Sequence, residues 1–125
     1  MKLLNNFFFI EDVDENNGLP IFLIKLVPSH EIFKAHFPGN PIMPGVCQIQ
    51  ILSELIESYI GKKLFLSEIK NVKFLSVLTP KNSLHFNVHI QKLIIEDNEV
   101  IASALLYFES INYAKISLTY KYSSI

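Results

Sequence analysis

A run of prolines and glycines near the middle of this chain dictates much of what its 125 residues can form. Four of the six prolines and two of the four glycines fall between Pro28 and Gly45. Proline fixes φ and lacks an N–H, so residues 36–44 cannot be the interior of a helix or a central strand. We expect a stiff connection here and call it the proline loop (residues 36–44).

One long helix is predicted directly after the proline loop, from about Gly45 to Ile60. Pro44 suits the start of a helix, and Gly61 suits the position just past its end. The apolar residues of this segment point in too many directions for a one-sided stripe, which predicts a helix buried inside the fold. They are Val46, Ile49, Ile51, Leu52, Leu55, Ile56, Tyr59 and Ile60.

Two strands are predicted ahead of the proline loop, at residues 7–13 and 21–27, with the turn-rich segment 14–18 between them. The second is nearly all apolar, so we expect both of its faces to be covered. A single helical turn is expected at residues 31–34.

Four further strands are predicted after the helix, as one antiparallel meander with a turn at residues 97–98. They lie at Leu64–Phe74, at about 83–91, at Val100–Phe108 and at 114–122. This order predicts an α+β fold in which the sheet wraps around one central helix. We expect residues 1–125 to form a single domain.

Composition and spacing exclude several classes of function. The net charge is −1 and the chain has no arginine, so no nucleic-acid partner is expected. No apolar run is long enough for a membrane span, and one cysteine without a secretory signal predicts a cytoplasmic protein. His85 and His89 would lie about 13 Å apart on a strand, too far to share a metal. We expect Cys47 to be a small buried residue, and we expect no metal or other cofactor.

The segment from His36 to Val46 resembles the signature of the β-hydroxyacyl-acyl-carrier-protein dehydratases, a hot-dog-fold family. The flanking residues 30–33 and 71–74 resemble that family more loosely. The resemblance implies a hot-dog fold and a pantetheine-linked acyl substrate delivered by an acyl carrier protein. It also implies a homodimer or higher oligomer with active sites at the subunit interface, or a heterodimer with another hot-dog protein.

The resemblance also implies roles for single residues. His36 would take the α-proton of a 3-hydroxyacyl thioester, and the amide of Gly45 would stabilise the thioester oxygen. Phe37, Met43 and Val46 would line the substrate site, together with Gly45. Lysines near the mouth of the acyl tunnel would contact the acidic carrier protein; the candidates are Lys34, Lys62, Lys63 and Lys73.

The position of the family's catalytic acid differs in this chain. The family has Glu or Asp fourteen residues after the histidine, and this position is Gln50 here. An amide can orient a hydroxyl or a water molecule, but it has no acidic proton to give. Glu54 lies on the same helix face about 6 Å further along and is the candidate replacement, unless it belongs with Glu57 to a polar stripe.

Three functions therefore stay open at this stage. The first is a dehydratase of fatty acid or specialised lipid and polyene synthesis, with altered chemistry at the leaving group. The second is a non-catalytic acyl-carrier-binding subunit that pairs with an intact dehydratase. The third is a hot-dog thioesterase that uses the carboxylate of Glu54.

Overall fold

The computed structural model describes residues 2–35 and 39–124 and has the predicted α+β architecture. His36, Phe37 and Pro38 lie outside the described residues. Six strands and two helices are found in the described chain: β1 (Phe8–Asn16), β2 (Leu19–Leu26), α1 (Glu31–Ala35), α2 (Gly45–Ile60), β3 (Leu64–Phe74), β4 (His85–Ile95), β5 (Glu99–Phe108) and β6 (Ile111–Tyr122). The strands form one antiparallel sheet in the order β1-β2-β4-β5-β6-β3.

Helix α2 has the predicted bounds, and its core-facing side packs into the main hydrophobic cluster. Gly61 ends the helix in the left-handed region, at φ 71°, and its N–H donates to the carbonyl of Glu57. The side chains of Ile51, Leu52, Leu55 and Ile56 are fully buried. The enclosure is incomplete, however, because Val46 and Tyr59 are exposed. Val46 leaves an apolar side chain in solvent at the start of the helix.

The first hairpin turns later than predicted. β1 continues to Asn16, and the turn consists of Asn17 and Gly18 alone. Both residues have positive φ, 55° and 79°, which a two-residue hairpin turn requires. The prediction of a turn at residues 14–18 was therefore wrong, because polar residues can continue a strand where both of its faces meet solvent.

The two faces of β2 differ in burial. Phe22, Ile24 and Leu26 are buried against the core, whereas Ile21 and Leu23 on the other face are only partly buried. The prediction that both faces are covered was wrong for the single chain. Apolar residues on the outer face made the strand look buried on both sides.

Strand β3 lies at an edge of the sheet instead of within the predicted meander. Only β4, β5 and β6 follow one another as neighbours, and β3 pairs with β6 from Leu64 opposite Tyr122 to Phe74 opposite Ala114. The prediction was wrong because α2 carries the chain from β2 to the far edge of the sheet. As an edge strand, β3 has all of its residues exposed or partly exposed.

Residues 2–7 form an ordered segment that the sequence pattern did not predict, and we call it the N-terminal strap. The carbonyl of Leu3 accepts hydrogen bonds from the amides of Asn6 and Phe7, at 3.1 and 2.7 Å. The ring of Phe7 stacks on Phe33 of α1 with centroids 4.9 Å apart. Leu3 and Phe7 are both buried, so the N-terminal strap belongs to the core.

Candidate active site

The first turn of α2 begins without a side-chain cap. Pro44 occupies the capping position in extended conformation, with φ −61° and ψ 145°, and no side chain of the described residues caps the helix there. Its carbonyl accepts the amides of Cys47 and Gln48, at 3.0 and 3.2 Å. The amides before them, starting with Gly45, point out of the helix end. A helix start of this kind is suited to binding an oxygen that carries negative charge.

The part of the proline loop that the structure describes, residues 39–44, is held by the segment after β3. The amide of Met43 donates to the carbonyl of Leu78 at 2.7 Å. The hydroxyl of Thr79 donates to the carbonyl of Pro41, and the ammonium group of Lys81 donates to the carbonyl of Gly39 at 2.7 Å. These three hydrogen bonds come from residues outside the proline loop and hold the loop where it leads into α2. The position of the loop therefore does not depend on its prolines alone.

A cavity of about 320 Å³ opens beside the first turn of α2. Its walls come from residues 42–43, Gly45, Gln48 and the segment 74–78. The ring of Phe74 lies directly on Gly45, because an added Cβ there would be 2.6 Å from the Cζ atom of Phe74. Glycine therefore lets an aromatic ring pack against the first residue of the helix, at the edge of a mostly apolar cavity.

Gln48 is a buried polar residue at this cavity that sequence reasoning missed. Its side chain is 3% exposed, and its Nε2 donates to the carbonyl of Met43 at 3.4 Å. Its Oε1 has no hydrogen-bond partner within the described residues. A buried acceptor without a donor costs about 1–3 kcal/mol. A polar residue three positions after Gly45 in an apolar helix was the signal that could have identified it.

Gln50 and Glu54 lie further along α2 and contact each other, as their spacing predicts. The Nε2 of Gln50 donates to Oε2 of Glu54 at 2.8 Å. Both oxygens of Glu54 also accept backbone amides of the N-terminal strap, from Leu3 at 3.0 and 2.8 Å and from Leu4 at 2.7 Å. Glu54 is thus a hydrogen-bond acceptor in each of these contacts. Its role as a replacement acid stays a prediction.

The remaining predicted site residues divide into two groups. Met43 is buried beside Gly45 at the cavity, whereas the side chain of Val46 is 66% exposed and points to solvent in the single chain. His36 and Phe37 lie outside the described residues. The structure thus brings Met43 and Gly45 together, and the catalytic and substrate-binding assignments stay predictions.

Other polar groups contribute to structure. Burial raises the pKa of the Cys47 thiol, which fits a small packing residue. The carboxylate of Glu57 accepts the amide of Leu64 at 2.8 Å and so holds the start of β3. His85 lies 2.8 Å from the carboxylate of Glu11.

The described residues contain neither a metal-binding cluster nor a membrane-spanning helix. No cluster of three or more His, Cys, Asp or Glu side chains there could hold a metal ion. Within the same residues, no helix has the length and apolar character to cross a membrane.

The contact between Gly45 and Phe74 makes a prediction about packing. Gly45→Ala should lower the free energy of unfolding by about 1 kcal/mol, because the new methyl group displaces the Phe74 ring. Phe74→Ala in the same chain should remove this cost, so the two changes should be non-additive in chemical denaturation at fixed protein concentration. Equal costs of Gly45→Ala with and without the Phe74 ring would contradict the packing described.

Comparisons with known proteins agree on one family. The family model of the ApeI-like dehydratases, described as ApeI dehydratase, matches residues 12–104. The 3-hydroxyacyl-[acyl-carrier-protein] dehydratase FabZ of Lactiplantibacillus plantarum is 36% identical over 74% of this chain and 71% of its own length. The FabZ of Lactobacillus helveticus is 39% identical over 67% of this chain and 63% of its own length.

Solved structures support the same fold at lower identity. The dehydratase heterocomplex ApeI:P from Xenorhabdus doucetiae matches with a TM-score of 0.65 and 18% identity, over 90% of this chain and 96% of that one. A putative thioesterase from Silicibacter sp. TM1040 matches with a TM-score of 0.58 and 12% identity, over 94% of this chain and 80% of that one. The predicted hot-dog fold is confirmed. Because the family model spans most of the sequence and the FabZ enzymes exceed 30% identity, this chain belongs to the ApeI-like dehydratase family.

Proposed function

We propose that this chain, acting as one domain of residues 1–125, removes water from 3-hydroxyacyl thioesters of an acyl carrier protein. The product is the trans-2-enoyl thioester, and the setting is fatty acid or specialised lipid and polyene synthesis in the cytoplasm. Family membership supports dehydratase chemistry. The observation that carries the proposal is the uncapped start of α2 at Gly45, which opens beside an apolar cavity.

The first step of the proposed reaction is proton abstraction by His36. The imidazole takes the α-proton of the substrate, and the electron pair of the C–H bond moves toward the thioester carbonyl. The amide of Gly45 donates to the oxygen that becomes negative, and the positive end of the α2 dipole adds to this stabilisation. A single donor of this kind is worth about 10²–10³ in rate.

The second step is departure of the 3-hydroxyl group. Its C–O bond breaks as the enolate electrons form the new double bond, and the leaving oxygen requires a proton. Gln50 cannot supply one, so the imidazolium of His36 returns the proton it took and water leaves. Gln50 holds the hydroxyl group in place. Loss of a dedicated acid lowers the rate by about 10²–10⁴ relative to a site that has one.

Contacts near Gly45 support some lysines over others as contacts of the carrier protein. Lys62 and Lys63 follow the far end of α2, about 24 Å along its axis. Lys73 precedes Phe74, which contacts Gly45, and Lys81 binds the proline loop. We therefore propose Lys73 and Lys81 as carrier-protein contacts, with Lys34 at the end of α1 as a third.

A second copy of this chain is the proposed partner along β3. The strand has eleven residues at the edge of the sheet, and an unpaired edge is a template for pairing with another chain. Phe65, Ile69 and Phe74 of this strand are each 52% exposed. Val46 and Val77 extend the apolar surface next to the start of α2, at 66% and 59% exposure. Covering this surface would complete the site with residues of both copies.

Ile69→Lys should convert the dimer to monomers and abolish dehydration. A charge on β3 opposes edge pairing, and the site needs both copies. Light scattering coupled to size exclusion measures the mass. Ile111→Lys is the matched control, because Ile111 is similarly exposed, at 47%, but lies at the β5–β6 turn. A fully active dimer of Ile69→Lys would contradict the proposed interface.

A second candidate function is a non-catalytic subunit that binds acyl carrier protein and pairs with an intact dehydratase. Gln50 at the position of the family's acid favours it. The structural neighbour described as the dehydratase heterocomplex ApeI:P is consistent with pairing of this kind. In such a pair the partner would supply the missing acid. A thioesterase that uses Glu54 is the third candidate.

An assay with a 3-hydroxyacyl carrier-protein thioester separates the three functions. We expect enoyl product from the native protein, a loss of at least about 100-fold in His36→Ala, and a gain in Gln50→Glu, which restores an acid. Gln91→Glu on the exposed part of β4 is the matched control and should change nothing. Turnover in Gln50→Glu alone would favour the binding subunit, and release of free acid would favour the thioesterase. Absence of product from every variant would contradict the dehydratase.

A further inference from the structure

The side of β3 that faces the core has the same arrangement of residues from both ends of the strand. Its pairing with β6 places five apolar residues on that side: Leu64, Leu66, Ile69, Val72 and Phe74. Counted from Ile69, the others lie three and five positions away in each direction. Two β-bulges, at residues 67–68 and 70–71, flank Ile69 and preserve this symmetry. A strand of this kind meets the requirement of a two-fold axis, which brings the same surface of two copies together.

Charged residues on either side of Ile69 complement each other in such a pair. In antiparallel pairing, an axis through Ile69 places each residue opposite the one that lies equally far from Ile69 on the second copy. Glu68 then lies opposite the second copy's Lys70, and Lys70 lies opposite the second copy's Glu68. Within the single chain, Nζ of Lys70 lies 3.4 Å from Oε1 of Glu68, and both side chains are about half exposed. Two copies would therefore form a ring of four charges that alternate in sign.

Other axes near the middle of β3 bring unlike or repelling residues together. An axis through Glu68 or through Lys70 sets two like charges directly opposite each other, which is destabilising. An axis between Ile69 and either neighbour sets the side chain of Ile69 opposite a charged residue, because the register is shifted by one position. The axis through Ile69 is thus the one among them that matches charges and apolar residues along the eleven-residue strand.

The opposite edge of the sheet is unsuited to pairing with itself. Strand β1 carries four acidic residues and no lysine; the acidic residues are Glu11, Asp12, Asp14 and Glu15. A second copy of β1 would add negative charge to negative charge, and charged side chains commonly protect an edge strand in this way. The two edges therefore differ, and β3 is the edge that fits a second copy of this chain.

We propose that β3 selects a second copy of this chain through a two-fold axis at Ile69, with reciprocal ion pairs between Glu68 and the second copy's Lys70. This inference rests on the proposed dimer and deepens it, because it fixes the register and names the same chain as the partner. The axis also sets the second copy's Leu64 opposite Phe74, the ring that lies on Gly45. Each copy thus covers the apolar surface beside the α2 start of the other.

Charge reversal on β3 tests the register. Glu68→Lys leaves two positive side chains beside Ile69, and Lys70→Glu leaves two negative ones. Each variant should dimerise at least about tenfold more weakly than the native protein, because like charges then face each other on both sides of the axis. The double variant Glu68→Lys/Lys70→Glu restores opposite charges and should regain the native affinity. A dilution series in sedimentation velocity measures these dissociation constants.

A mixture of the two single variants tests the pairing most sharply. In a mixed pair, the two positive positions of one strand lie opposite the two negative positions of the other. The mixture should therefore form dimers at a concentration at which each variant alone is a monomer. Native mass spectrometry, with one variant labelled with ¹⁵N, identifies the mixed dimer by its mass. This rescue also shows that both variants are folded.

Two charge reversals away from β3 are the matched controls, and both should keep the native affinity. They are Lys92→Glu on β4 and Glu15→Lys on β1, at exposed positions. If Ile69→Lys is a monomer but the β3 charge variants and their mixture dimerise like the native protein, the dimer along β3 stands and this register is overturned. A monomeric native protein, or a dimer that only Glu15→Lys weakens, would overturn the proposed interface itself. None of these measurements depends on enoyl product, so they stay separate from the proposed dehydration.

Discussion

The open start of α2 is the constraint on which the rest of the structure depends. Pro44 gives α2 no side-chain cap, so the first amides of the helix must find an oxygen elsewhere. The proline loop and the segment 78–81 hold that end in place through backbone and side-chain hydrogen bonds. The core-facing side of the helix packs into the hydrophobic cluster, so the chain keeps one polar helix end beside an apolar cavity.

A second polar unit lies further along the same helix and has the opposite character. The start of α2 offers donors, whereas Glu54 offers only acceptors, and the N-terminal strap satisfies them. Both oxygens of Glu54 act as acceptors in these backbone contacts. Gln50 lies between these two units in the sequence of the helix. In our proposal, Gln50 holds the hydroxyl group of the substrate and does not donate a proton, unlike the Glu or Asp at this position in the family.

The backbone preferences of single residues made α2 predictable. The other features depend on contacts between distant parts of the chain, which limited their prediction. Pro44 and Gly61 mark the ends of the helix by their own backbone preferences, so its bounds follow from the sequence. The edge position of β3 depends on where α2 crosses the sheet, which no local pattern encodes. The strap was not predictable either, because Leu3 meets Glu54 across 51 residues of chain. Gln48 was visible as a polar residue in an apolar helix, but the sequence did not show that its Oε1 lacks a partner among the described residues.

Observation of the Gly45 amide during ligand binding tests the proposed oxygen site most directly. A saturated acyl-pantetheine thioester lacks the 3-hydroxyl group, so it can bind without reacting. If the amide of Gly45 donates to the thioester oxygen, its ¹H signal should move downfield and saturate with the ligand, together with the signals of the cavity-lining residues. Saturable binding that moves the cavity signals and leaves the Gly45 amide unchanged would contradict the proposed chemistry.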